Sequence, residues 1–234
     1  MPLLIHDKPH ISEIEPGLFI GDFTSSSQLS MLKENDITAI VSLANNRSEE
    51  WSRPANRDLV PEDKHLFVSC ADTPTQDILK LLPSICDFID RHSAQPGTSP
   101  ESQHSDGEQN NVLVHCTAGV SRSATIVIAY LMRKRRQGLK DVLEQVKEKR
   151  RIEPSGNFLE QLKIWERVGY ELWEDEDRKQ PKEPYREFLS RKAANNKAMA
   201  DRDEQNRRQS LDRQASQEQS NFVRMYAQHH AQQL

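Results

Sequence analysis

The chain has little cysteine: three residues, Cys70, Cys86 and Cys116, an odd and sparse set. That count excludes a disulfide scaffold and fits a reducing, intracellular compartment. Long apolar runs are missing too, so no segment is read as spanning a bilayer. The opening MPLLIHDKPH is too short and too polar for a signal peptide. Nor is there an excess of one charge. Lys and Arg number 32 against 36 Asp and Glu, a formal net charge of −4. Such a balance argues for neither a nucleic-acid partner nor an anionic membrane surface. A protein of the cytoplasm, the nucleus or both is expected. Apolar residues are scarce at 35 % against 29 % charged, which is polar for a fully packed globule. The 234 residues therefore read as one domain of ordinary size with polar appendages. No internal repeat is visible.

Several segments have a clear period. EIEPGLFIGD, Glu13 to Asp22, reads as a short strand pair around a Pro-Gly turn. SSSQLSMLKEND follows, a serine cap leading to a helix with Leu29 and Leu32 on one face. The β-branched run ITAIVSLAN from Ile37 and the segment HLFVS from His65 to Ser69 read as buried strands. A helix is expected over DTPTQDILKLLPSICDFIDRH, kinked or interrupted at Pro83. Residues 94–111 have no periodicity and read as a disordered insertion. VLV then forms a central strand. Three helices follow, at 121–137, 139–150 and about 157–173. The expected catalytic or binding domain covers 11–174, and 175–234 is a polar linker with a low-complexity tail, disordered or partly helical. Strands alternating with helices imply an α/β architecture: a central mixed, largely parallel sheet flanked by helices. Ligands in such sheets bind at the carboxyl ends of the strands.

The stretch VHCTAGVSRSATIVIAYLM, Val114 to Met132, puts the chemistry at such an end. A loop between a strand and a helix N-terminus can curl its N–H groups around an anion, and the helix dipole adds positive potential there. Gly119 permits unusual torsion angles and a close approach. Thr117, Ala118, Val120 and Ser121 are small enough to wrap a compact group. Arg122 adds a planar fork of donors that matches two oxygens of a tetrahedral anion. These six positions describe a phosphate cradle. Cys116 lies at its floor, where helix termini and cations bring a thiol down from roughly 8.5 to roughly 3.5–7.5. A thiolate there can attack phosphorus and split one hydrolysis into two easier steps. Arg122 can hold the equatorial oxygens in the transition state, and the Ser123 hydroxyl can donate to the departing thiolate. His115 is assigned a supporting role, hydrogen-bonded near the loop and favouring the thiolate.

The leaving group needs a proton donor. If HLFVS runs parallel to VLV, Asp72 falls on the same sheet edge as Cys116. Asp77, Asp87 and Asp90 lie further along. Asp72 is therefore the candidate general acid, and base towards water in the second step; the rival role is an N-cap for the helix start at DTPT.

By these residues the chain resembles the dual-specificity protein phosphatases of the cysteine-based phosphatase superfamily. The resemblance runs from about Glu13 to Trp173 and includes PGLFIGD, ITAIVSLAN, the AD of Asp72, and RRIEPSGNFLEQL. It implies hydrolysis of phosphotyrosine and phosphoserine or phosphothreonine with no metal and no cofactor. It assigns Cys116 as nucleophile, Arg122 as phosphate binder and Asp72 as general acid. Members commonly show Pro-Asn, one residue, then Gly-Phe; here the order is Pro154-Ser155-Gly156-Asn157-Phe158. The Asn that usually buttresses the active-site loops is thus displaced or replaced. The loop also lacks the lysines of phosphoinositide-directed relatives.

The expected partners are phosphorylated proteins. Two further readings stand beside hydrolysis of phosphoproteins. One is a phosphoprotein-binding or scaffolding module with weak catalysis, and the other is a phosphatase of a non-protein phosphate. Cys70 is a core residue or a disulfide partner for Cys116 on oxidation. RKRR, Arg133 to Arg136, is a docking patch or cations placed to suit a helix C-terminus. Arg151 stands where relatives carry substrate-contacting basic residues. The Gln- and Arg-rich tail is a solvated segment or a recruiter of a protein partner.

Overall fold

The computed structural model describes residues 10–93 and 110–231. Five strands form one sheet in the order β1-β2-β5-β3-β4. They are β1 (Ile11–Glu15), β2 (Leu18–Gly21), β3 (Ile37–Ala44), β4 (His65–Ser69) and β5 (Asn111–His115). Only β1 and β2 pair antiparallel, across the Pro16-Gly17 turn, where Gly17 has φ 85°. The others are parallel. The central strand, β5, is buried at every position, as a strand with parallel neighbours and covered faces should be.

Eight α-helices complete the described chain: α1 (Phe23–Ser27), α2 (Leu29–Glu34), α3 (Pro54–Leu59), α4 (Leu82–His92), α5 (Arg122–Arg135), α6 (Leu139–Lys149), α7 (Gly156–Arg167) and α8 (Glu183–Ala231). On one face of the sheet Phe19, Ile37, Ile40 and Leu113 pack with Leu32, Trp51 and Val60. Helix α4 lies against β3 and β5, and α5 against β5 and β2. Helix α5 is buried through eleven successive residues, Arg122 to Met132. It packs against α7, whose Trp165 donates to the Ala129 carbonyl at 3.1 Å. This burial on all sides explains why TIVIAYLM is apolar around its whole circumference.

Four expectations need correction. No serine caps the first helix. Asp22 does, accepting from the Ser25 N–H at 2.7 Å, while Ser25, Ser26 and Ser27 lie inside α1 with their hydroxyls on backbone carbonyls. No helix starts at DTPT. A 3-10 turn, Leu79–Leu81, leads into α4, with Pro83 in the first turn, where a missing N–H is harmless. Pro83 therefore starts the helix and does not kink it. Helix α7 ends at Arg167, not near Trp173, because Gly169 and Tyr170 take positive φ. Of the insertion at 94–111, residues 94–109 lie outside the described residues. Asn111 is the first residue of β5, and its amide donates to the Asn35 carbonyl at 2.8 Å.

The chain divides into two compact units, one ending at Tyr185 and the other beginning at Arg186. In the first, Trp173 and Tyr185 meet edge to face at 5.8 Å. The second is helical, and Met199 and Leu211 are exposed apolar side chains on it. Among the described residues no helix is long and apolar enough to cross a membrane.

Candidate active site

Strand β5 ends at His115, and the next residue, Cys116, is buried at the floor of the loop 117–121. Its Sγ lies 3.4 Å from the Ser123 hydroxyl. Burial pushes the thiol up. Hydrogen bonds from the Ser123 hydroxyl and N–H, the Arg122 charge and the Gly119 N–H outweigh it, and the thiol is held below its ordinary value. A thiol whose pKa is lowered in this way carries more thiolate, the form that attacks electrophiles.

The loop owes its shape to bonds that pull its acceptors outward. The Thr117 carbonyl accepts from the Phe23 N–H at 3.2 Å, and the Val120 carbonyl from the Glu153 N–H at 3.0 Å. The Gly119 carbonyl accepts from Arg150 Nε at 2.9 Å. The Ser121 hydroxyl accepts from the Ser155 N–H at 3.2 Å. With these oxygens engaged outside, backbone N–H groups are left to line the inside, as an anion nest requires. Gly119 has φ 65°, and a β-carbon there would stand 2.6 Å from the Gly21 carbonyl oxygen. No other residue fits.

Arg122 opens α5 and is fixed by the sheet. Its Nη1 donates to the carbonyls of Leu43, at 3.2 Å, and Cys70, at 3.0 Å, at the ends of β3 and β4. Its Nη2 donates to the Thr117 hydroxyl at 2.8 Å. Its Nε is buried and has no hydrogen-bond partner. Asp72, just beyond β4, places a carboxylate oxygen 4.0 Å from that Nε. Asp72 caps no helix, so the structure leaves its carboxylate beside the cradle, where the parallel pairing of β3 with β4 and β5 carries it.

The Asp72 loop is tied down by α7. Asn157 donates to the carbonyls of Thr73 and Gln76, both at 3.0 Å. Gln161, fully buried, donates to the Gln76 carbonyl at 2.8 Å and accepts from the N–H groups of Ile78 and Leu79. So the displaced Asn of PSGNF still buttresses a site loop. Gln161 was not singled out in the sequence, although its spacing of four from Asn157 puts both on one helix face. Arg150 escaped notice as well.

His115 hydrogen-bonds the Ser42 hydroxyl of β3 at 2.6 Å, and burial pushes its imidazole down to about 4. Asp77 is buried and accepts from the Lys80 N–H at 3.4 Å. Asp87 and Asp90 bind Arg133, at 2.7 and 2.6 Å, away from the cradle. The rest of RKRR is likewise engaged internally: Lys134 and Arg135 with Glu15, Arg136 with the Gly169 carbonyl. This supports the helix-end reading over a docking patch. Cys70 and Cys86 are buried free thiols, pushed up by burial to about 11 and about 12. Arg151 is exposed.

The arrangement is a loop shaped to hold an anion, with a buried thiol of lowered pKa at its floor and a carboxylate at its rim. The comparisons agree with it. The family model "Dual specificity phosphatase, catalytic domain" matches residues 18–168. The dual specificity protein phosphatase MPK-4 of Drosophila melanogaster is 34 % identical over 172 residues, 69 % of this chain and 38 % of that protein. The human serine/threonine/tyrosine-interacting protein is 34 % identical over 161 residues, 68 % of this chain and 65 % of that one. The crystal structure of that human tyrosine phosphatase-like protein matches with a TM-score of 0.56, covering 68 % of this chain and 96 % of the solved one. The chain thus spans between 38 % and 65 % of the length of these curated relatives.

Proposed function

The chain belongs to the dual specificity phosphatase family, and from that premise we propose that it is a protein phosphatase hydrolysing phosphotyrosine and phosphoserine or phosphothreonine through a thiophosphoryl-cysteine intermediate. In the first step the Cys116 thiolate attacks phosphorus, the P–O bond to the substrate breaks, and Asp72 protonates the departing oxygen. In the second, Asp72 takes a proton from water, the water oxygen attacks phosphorus, and the S–P bond breaks to release phosphate. The backbone of Thr117 to Ser121 and the guanidinium of Arg122 hold the three equatorial oxygens throughout. The Ser123 hydroxyl stabilises the thiolate as it leaves. No metal is required, because fixed N–H dipoles and Arg122 carry the charge. The substrates are phosphoproteins of the cytoplasm or nucleus.

The observation that carries this reading is the pairing of Cys116 Sγ with Ser123 at 3.4 Å, beside an Arg122 Nε that is buried and without a hydrogen-bond partner. The test is hydrolysis of a small aryl phosphate in EDTA by the wild type and Cys116→Ser. Activity that disappears with the thiol, and a phosphorylated Cys116 trapped by rapid acid quench, support it. No turnover by folded wild type favours the second reading, a phosphoprotein-binding module with weak catalysis. Similarity to a protein named for interaction keeps that reading in view. A tight phosphopeptide complex without hydrolysis would establish it.

A further inference from the structure

Behind the cradle, on the sheet face covered by Trp51 and α3, lies a buried row of polar groups. Ser42 and His115 are directly paired residues of β3 and β5. The Ser42 hydroxyl stands 2.6 Å from His115 Nε2 and 2.8 Å from His65 Nε2. His65 Nδ1 in turn stands 3.2 Å from Arg57 Nη1. Arg57 is held from outside by the Glu62 carboxylate at 2.6 Å and lies over the Trp51 ring.

The direction of this row follows from what each group can do. A guanidinium only donates, so His65 Nδ1 accepts. A neutral imidazole that accepts at one nitrogen donates at the other, so His65 Nε2–H donates to the Ser42 oxygen. Ser42 then has its own hydrogen for His115 Nε2. His115 must carry its proton on Nδ1. Both rings are neutral at physiological pH, since burial pushes His65 down to about 3 and His115 to about 4. His115 Nδ1 is buried, faces the Cys116 backbone and has no side-chain partner.

We propose that Arg57, His65 and Ser42 form a one-way hydrogen-bond relay that fixes the His115 tautomer, so that an N–H and not a lone pair faces the Cys116 end of the cradle. The three are positioning residues for the nucleophile, acting from the back of the sheet. An N–H pointing at the sulfur's end of the chain favours the thiolate; a lone pair there opposes it. Other charged and titratable groups act on this region from every neighbouring element. They are Arg122 on α5, Cys70 and Asp72 after β4, Arg150 after α6, and Asp22 before α1. None of these replaces the bond that Ser42 makes to His115 Nε2.

The inference rests on Cys116 being the nucleophile, and its test reads the thiol without turnover. Imidazole nitrogen-15 shifts of the wild type should show His115 protonated on Nδ1 and His65 on Nε2. The opposite tautomer at His115 overturns the relay with no variant needed. The rate of Cys116 alkylation by iodoacetamide, followed by peptide mass spectrometry, is then measured against pH. In Ser42→Ala the midpoint should move up and the rate below it fall about three- to tenfold. Ser42→Thr, which keeps the hydroxyl, should restore most of it, and Arg57→Met should move it in the same direction by less. An unchanged midpoint in Ser42→Ala overturns the relay. Aryl phosphate hydrolysis run in parallel separates the two readings. A shifted midpoint in a protein that never turns over keeps the relay and sinks the phosphatase. Turnover with an unmoved midpoint does the reverse.

Discussion

Arg150 Nε donates to the Gly119 carbonyl at 2.9 Å, and a β-carbon on Gly119 would stand 2.5 Å from the same guanidinium. The two residues are made for each other: the glycine leaves room for the arginine, and the arginine holds the glycine's oxygen out of the cradle. Arg150 also reaches the Ser12 hydroxyl at 3.1 Å, tying the loop to β1. Arg150→Met should leave the Gly119 carbonyl buried without that donor, at a cost of about 1–3 kcal/mol. Urea denaturation should show the loss, and KM for a phosphopeptide should rise because the nest is no longer held open.

Asp72→Asn removes the proposed proton donor and leaves the cradle intact. The expected fall in kcat is roughly 10²- to 10⁴-fold for substrates with a basic leaving group. It should be much smaller for an aryl phosphate whose leaving oxygen needs little help. Equal losses on both substrates would take the acid role away from Asp72.

Asn157→Ala removes no reacting group, but it frees the Thr73 carbonyl and leaves the Gln76 carbonyl with Gln161 as its side-chain donor, which loosens the Asp72 loop. Displacing a catalytic group by about an ångström is enough for a roughly 10²-fold loss. The variant should therefore resemble a mild Asp72→Asn in its leaving-group dependence. Combining the two should add little, because they act on one step. A full additive loss in the double variant would place Asn157 in some other role.

Acid should destabilise the fold through the two buried imidazoles. His65 and His115 are pushed down to about 3 and about 4, against 6.5 for the unperturbed group. The unfolded chain therefore takes up protons first as pH falls. Stability is full above about 6.5 and declines as pH drops towards 4, with a slope of about 1.4 kcal/mol per pH unit for each histidine. Denaturation at pH 7, 6 and 5 should show it, and His65→Gln should roughly halve the slope below pH 6. A wild-type stability flat from pH 7 to 5 would contradict the burial of both rings.

Some of this was legible in the chain itself. Cys116, Gly119, Arg122 and Ser123 stand within eight residues, so one loop brings them together and spacing alone displays them. Strand β5 and helix α5 were readable because their buried centres, VLV and ATIVIAYLM, are largely apolar runs. Asp72 could be placed only by assuming that two strands ran parallel. What escaped was what holds the loops. Arg150 meets Gly119 from 31 residues away, Asn157 meets Thr73 from 84, and Ser42 meets His115 from 73. No local period records such contacts; they depend on where folding sets one element beside another. The RKRR run stayed open between two readings for a related reason, since its partners Asp87, Asp90 and Glu15 lie on other elements.

The short connection from Arg150 to Asn157 supports both halves of the site. Arg150, Glu153 and Ser155 grip the loop 117–121, and its last residue, Asn157 in the first turn of α7, grips the Asp72 loop. Cys116 and Asp72 come from distant parts of the chain, yet the loops of both hang from one eight-residue yoke. Lengthening or shortening that yoke by a residue would drag the two out of alignment together, so the Cys116 and Asp72 loops are not free to drift apart independently over time.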